Sequence, residues 1–423
     1  MQRLLTPART FLRHPAFMVL LGCNLLVGLA SSFVAPFFSM FGTIEVGMSP
    51  VVFGVFMTVT SLSGIALSTA LARWSDTRFS RRAVLLTGGL AGALNYLGYA
   101  YVRDVVWLTV IGCVLGGIAS ITFSQLFAYA RDLLSRSDVR PGEASLYMNV
   151  FRLFFSLSWT AGPAMAAWVM LRYHYRGMFL VAALCFVLFV LIVLFLVPAT
   201  PPSALARESA VRLPLRRALA RIDVLAYFLS FALLFAASTM GIMNLPLLVL
   251  NVLHGTGQHV GIIYSIAPAF EIPFMLFFGL LATRGDQARL IRISVVLAVI
   301  YYALLALIRV PWQAYPLQIL SAAITAVVGG VAISFFQSFL PEQPGTATNL
   351  YSVAGRIGST AGYLMFGTLA SAFGHRIVFL ACTLLCAGAL AILLVYRDRP
   401  SRAWTVRSDA GTGAPQPAPL AGL

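Results

Sequence analysis

The chain has 423 residues, 60% of them hydrophobic and only 10% charged, and its mean hydropathy is +0.90. A soluble globular chain carries about 25% charged residues, so this composition excludes a water-soluble domain of ordinary surface, a soluble nucleic-acid binder included. The net charge of +16 comes from 29 basic residues that are all arginine, against 13 acidic ones, and it fits a polytopic helical membrane protein with arginines in its loops.

A bilayer crossing takes about 20 mostly apolar residues, and the chain holds twelve such runs. They cover 16–41, 50–71, 83–102, 105–130, 143–171, 177–198, 222–250, 258–282, 291–309, 311–340, 346–373 and 376–396. The predicted fold is all-α, with twelve transmembrane helices in two pseudo-symmetric six-helix bundles. The predicted organisation is an N-terminal segment 1–15, a bundle 16–198, a connection 199–221, a second bundle 222–396 and a disordered tail 397–423. The first apolar run continues for about 25 residues, too long for the h-region of a cleaved signal peptide. The five cysteines lie in apolar stretches and read as small hydrophobes, with no disulfide framework.

Taken in chain order, the first run carries Asn24 about 9 residues in, near mid-membrane. Its amide offers donors and acceptors to a polar ligand, or a helix–helix hydrogen bond. The connection 72–82, ARWSDTRFSRR, is strongly basic with one carboxylate. Asp76, Arg78, Arg81 and Arg82 read either as a plain topogenic loop or as a gate whose charge pairs favour one conformer. Gln125, Arg131 and Asp132 lie toward the same membrane face, as do Arg284, Asp286 and Gln337 in the second half.

The fifth run holds Asn149, Arg152, Ser156, Ser158 and Trp159. Arg152 sits roughly 14 Å from the inner end, and its charge demands a carboxylate, carbonyls, water or a polar ligand. Trp159 either covers the apolar face of a ring or packs between helices. In the eighth run Glu271 lies roughly 20 Å from the outer end. An intramembrane carboxylate is inward-facing, paired or protonated. It is either a site that takes and releases a proton or a structural charge neutralised by an arginine, with Arg152 its natural partner. Arg356 occupies the corresponding place in the eleventh run, as a ligand contact or a donor to carbonyls. The chain has no lysine, which removes a GxxxxGK[ST] nucleotide loop. Its five histidines fall in loops or at span ends without a nucleophile nearby, so no metal, cofactor or catalytic cluster is expected.

Sorted by connection, 22 arginines fall on one side of the predicted membrane, 5 on the other and 2, Arg152 and Arg356, within spans. The positive-inside rule therefore expects both termini in the cytoplasm. The halves also repeat. Ala35–Phe37 returns as Leu245–Leu247 and Asp76 as Asp286, each 210 residues on, ITFSQLF (121–127) as ISFFQSF (333–339) and LYMNVFR (146–152) as LYSVAGR (350–356). Two related six-span halves are typical of transporters that rock around a central site.

The 72–82 connection resembles the helix 2–3 loop motif of the major facilitator superfamily, with Ala72 and Ser80 in place of glycines. The spacing of Asp76 to Arg81 and Arg82 is closer to the Set family of sugar efflux transporters. APFFSMFGTIEVGMSP (35–50), QLFAYARD (125–132), RLFFSLSWTAGP (152–163), FEIPFML (270–276), FQSFLP with GTATNLY (336–351) and Gly374-His375 extend that resemblance over most of residues 15–395. Asp132 stands for the family's glutamate, and Phe123 and Ser124 replace its Asn-Pro, which leaves substrate detail open. The resemblance implies an inner-membrane exporter of sugars or sugar-like glycosides against inward proton flow; no enzymatic activity is expected, and a monomer is the default. It implies that helices 5 and 8 face each other, so that Arg152 and Glu271 pair across the cavity. A drug or amphiphile exporter is the alternative, followed by a membrane-embedded enzyme or a transporter-like receptor.

Overall fold

The computed structural model describes residues 15–77, 80–135, 141–198, 219–339 and 344–396, and among these no residue is in a strand. The helices of the first half are α1 (Pro15–Glu45), α2 (Pro50–Thr77), α3 (Arg81–Tyr101) and α4 (Val105–Leu134), followed by α5 (141–173) and α6 (175–196). The second half holds α7 (Ile222–Val252), α8 (Gly257–Arg284), α9 (Gln287–Leu307), α10 (Pro311–Ser338), α11 (Pro344–Phe373) and α12 (His375–Val395).

Local chemistry sets where these helices begin. Proline heads α2, α10 and α11, where its missing N–H costs nothing. Ser80, Asp104 and Asp286 accept from backbone N–H groups at the starts of α3, α4 and α9, satisfying donors that have no partner inside the helix. Helix α5 passes into α6 at His174, whose φ of 54° and ψ of −165° break the helix. The chain reverses there. Tyr175 packs against Phe41 at the far end of α1, with ring centroids 5.9 Å apart, and Arg82 at the start of α3 donates to the Leu194 carbonyl. Among the described residues ten helical stretches are long and apolar enough to cross a bilayer. The stretch containing His174 makes two crossings, and the more polar α11 completes the expected twelve.

The repeat seen in the sequence has a structural counterpart. Helices α1 and α7 both end in a π-helical turn, Phe41–Glu45 and Leu248–Val252, and α4 and α10 both contain one, Gly112–Gly116 and Val327–Val331. Glycine seams recur too. A Cβ on Gly28 or Gly162 would run into Ser158 or Ser32 across the α1–α5 contact, and one on Gly358 or Gly362 into the Ala232 or Ala236 carbonyl across α7–α11. Lipid is as apolar as leucine, so membrane helices associate through such close packing and through hydrogen bonds between helices. Ser32 Oγ donates to the Ser158 carbonyl at 3.0 Å, and Thr239 Oγ1 to Ser359 Oγ at 3.0 Å, in matching places in the two halves. The segments 1–14, 199–218 and 397–423, on which the expected N-terminal segment, connection and tail fall wholly or in large part, lie outside the described residues.

Candidate functional site

Side chains of α1, α2, α3, α4, α5, α7 and α11 enclose a cavity of about 620 Å³ between the two halves. One wall is made by Ser31 of α1, Thr60, Ser61 and Ser68 of α2, Asn95 of α3 and Ser120 of α4; Trp159 of α5 and Arg356 of α11 also line the cavity. Four of these hydroxyls are already committed as donors to carbonyls of their own helices: Ser31 to Val27, Thr60 to Phe56, Ser68 to Ile65 and Ser120 to Gly117, at 2.7–3.3 Å. A hydroxyl that donates backward keeps its oxygen lone pairs as acceptors. Asn95 is 7% exposed, and its Oδ1 has no partner. The close approach of α4 makes room for it, since a Cβ on Gly116 would stand 3.1 Å from that oxygen. This wall therefore presents mostly acceptors.

Two seams close the halves against each other near the membrane face opposite the arginine-rich connections. In α2–α11 the backbones nearly touch: a Cβ on Gly54 would lie 2.6 Å from the Tyr363 carbonyl, and one on Gly367 2.6 Å from that of Pro50. In α5–α8 a Cβ on Gly261 would lie 2.8 Å from the Pro163 carbonyl, and the Ala164 N–H donates to Ser265 Oγ at 3.2 Å. At the arginine-rich face the ties run within each half. Arg81 bonds to Asp132 at 2.6 Å and to Gln125 at 3.2 Å, Arg292 lies 3.5 Å from Asp286, and Gln337 donates to Thr348.

The expected site residues separate accordingly. Arg356 and Trp159 line the cavity together. Asn24 does not: it is wholly buried, and its Nδ2 donates to the Phe151 carbonyl at 2.5 Å, joining α1 to α5. In this conformer Asn24 makes the helix–helix bond, the second of its two expected readings. Asn149 and Arg152 are exposed on α5, and Glu271 is half-buried on α8. Helices α5 and α8 do pack against each other, but none of the four ion pairs among the described residues joins Arg152 to Glu271. The expected pair is therefore open in this conformation.

In the arginine-rich loop, Ser80 caps α3 and Asp132 accepts from Arg81. Arg131 is exposed. Arg78 lies outside the described residues, as do the side chains of Asp76 and Arg284. The hydroxyl wall on α2 was missed, although its signal stands in the sequence as TVTSLSG (58–64), an unusual density of hydroxyls for a bilayer span. Asn95 was missed as well, an amide with the same standing as Asn24 in the sequence.

The family model described as Major Facilitator Superfamily matches residues 20–362. A Deinococcus radiodurans protein provisionally named a sugar efflux transporter is 35% identical over 90% of this chain and 97% of its own. Sugar efflux transporter A of Dickeya chrysanthemi is 31% identical over 93% of this chain and 99% of its own. The crystal structure of the nucleoside transporter NupG superposes with a TM-score of 0.73 over 91% of this chain and all of that one, at 16% identity, which bears on the fold alone. The chain belongs to the Major Facilitator Superfamily, and the sugar efflux transporters of that superfamily are among its relatives.

Proposed function

We propose that the chain is a proton-coupled secondary transporter that exports sugars or sugar-like glycosides across a bacterial inner membrane by alternating access. The observation that carries this reading is the cavity between the halves, walled by hydroxyls and an amide and flanked by the indole of Trp159. Sugar hydroxyls are donors that such acceptors can hold, and an indole covers the apolar face of a sugar ring. The count of 22 arginines against 5 supports a cytoplasmic orientation of the arginine-rich face. Both termini then lie there, and the sealed α2–α11 and α5–α8 seams mark a conformer open to the cytoplasm.

Glu271 and Arg152 take the coupling role. They stand on helices of opposite halves that pack together, and a proton on Glu271 removes the charge that would hold Arg152 when the cavity closes around them. Asp76, Arg78, Arg81, Arg82, Gln125, Arg131 and Asp132 of the first half frame the cytoplasmic gate with Arg284, Asp286 and Gln337 of the second. A monomer suffices, its partners being sugar, protons and lipid, with no nucleic acid and no cofactor. The aromatic part of the lining, Phe38, Tyr96, Tyr99 and Tyr363, favours export of an amphiphile or drug as the second reading. Accumulation of labelled sugars is measured in cells with and without the protein, each with and without a protonophore. Lower accumulation that the protonophore restores supports the proposal, and equal accumulation across a broad sugar panel refutes it.

A further inference from the structure

Among the residues lining the cavity, Arg356 is the only charged one. It stands 12 residues into α11, roughly 18 Å above the arginine-rich end of that helix, in the middle of the membrane. Among the described residues its guanidinium meets no carboxylate and no hydrogen-bond acceptor. No aspartate, glutamate or histidine shares the cavity with it. Arg356 is exposed to the open cavity, where its unpaired guanidinium offers an approaching anion a fixed positive charge and a planar fork of donors.

The wall on the first half has the complementary character. Its hydroxyls from Ser31, Thr60, Ser68 and Ser120 donate to carbonyls of their own helices and keep their lone pairs for a ligand. Ser61 on the same wall makes no such bond among the described residues, so a ligand group that only accepts, such as a carboxylate or a phosphate, finds fewer donors there than at Arg356. It finds five N–H donors at Arg356. A ligand that only donates is met by the wall and repelled by nothing, but it leaves Arg356 unmatched.

We infer that the cavity prefers an anionic sugar, a polyhydroxylated ring bearing a carboxylate or phosphate, with its hydroxyls on the acceptor wall and its anionic group on Arg356. This deepens the export reading above and rests on it. The test is equilibrium binding to the purified full-length protein in lipid nanodiscs, with glucose, glucuronic acid and glucose 6-phosphate as probes at low and high salt. The expected result is that one or both acids bind at least about tenfold more tightly than glucose, the worth of one charge-assisted hydrogen bond. High salt should weaken the acids and leave glucose unchanged. Arg356→Gln should remove that preference, and Arg356→Lys should restore part of it. The two acids tell a carboxylate ligand from a phosphate one.

Equal binding of glucose and both acids by the wild type overturns the inference without any variant being needed. So does an Arg356→Gln protein, still folded by its thermal transition, that keeps the preference for the acids over glucose. Binding of glucose with no gain for the acids sinks this inference and leaves the export reading intact, whereas failure of all three sugars to bind sinks both.

Discussion

The α2–α11 seam makes the equilibrium between conformers adjustable by one methyl group. Gly54 and Gly367 meet backbone to backbone, and a Cβ on Gly54 would lie 2.6 Å from the Tyr363 carbonyl, 0.8 Å short of the 3.4 Å at which contact becomes ordinary. A carbonyl cannot rotate out of the way as a side chain can, so Gly54→Ala must part the seam. Overpacking of this kind costs about 1–3 kcal/mol. The seam must separate when the cavity opens to the opposite face, so the cost falls mainly on the conformer described here. The conformational equilibrium should then move by about 5–150-fold toward the alternative. Spin labels on Val52 and Phe373, both exposed near that face on α2 and α11, report the change by pulsed dipolar spectroscopy. The long-distance population should grow in Gly54→Ala and in Gly367→Ala. Gly22→Ala, where a Cβ meets nothing within 4 Å, should leave it unchanged. An unaltered distance distribution in both seam variants would refute the reasoning, because the methyl would then have been absorbed without separating the halves.

Other expectations follow from the same geometry. Asn24→Ala should lower thermal stability by roughly 0.6–1.7 kcal/mol, the range for hydrogen bonds between membrane helices, and leave sugar affinity unchanged; a selective loss of affinity would return Asn24 to the binding site. Asp132→Asn should weaken the partly buried pair with Arg81, whose side chains are 13% and 19% exposed. Thermal stability should fall by about 1 kcal/mol, and Asp132→Glu should restore it. Glu271→Gln should abolish proton-driven export while retaining sugar exchange across proteoliposomes at equal pH; full pH-dependent export by this variant would remove Glu271 from the coupling role. Ser120→Ala and Thr60→Ala should each weaken sugar binding in an isotherm by about 0.5–1.5 kcal/mol, the usual worth of one hydrogen bond.

Much of the architecture is legible without coordinates because the bilayer imposes it locally. Span number follows from apolar run length, the chain reversal near 172–176 from the flanking Arg172 and Arg176, and the halves from matched segments such as LYMNVFR and LYSVAGR. The site is less legible. Asn24 and Asn95 look alike in sequence, yet the α1–α5 crossing turns one toward the Phe151 carbonyl while the approach of Gly116 sets the other at the cavity. Arg152 and Arg356 are repeat equivalents, but only Arg356 lines the cavity in this conformer.

Composition and periodicity along one chain therefore determine that this protein is an all-helical membrane protein and predict twelve spans in two related halves. They do so because the cost of a polar or charged residue in lipid is paid residue by residue, whatever its neighbours. Which polar residues bond helices and which face the cavity was decided only by the tertiary structure. That choice depends on helix rotation and on glycine contacts between segments more than 100 residues apart, such as Asn24 with Phe151 and Gly54 with Gly367. The spacing of residues along the chain does not encode those contacts, and the packing of helix on helix does.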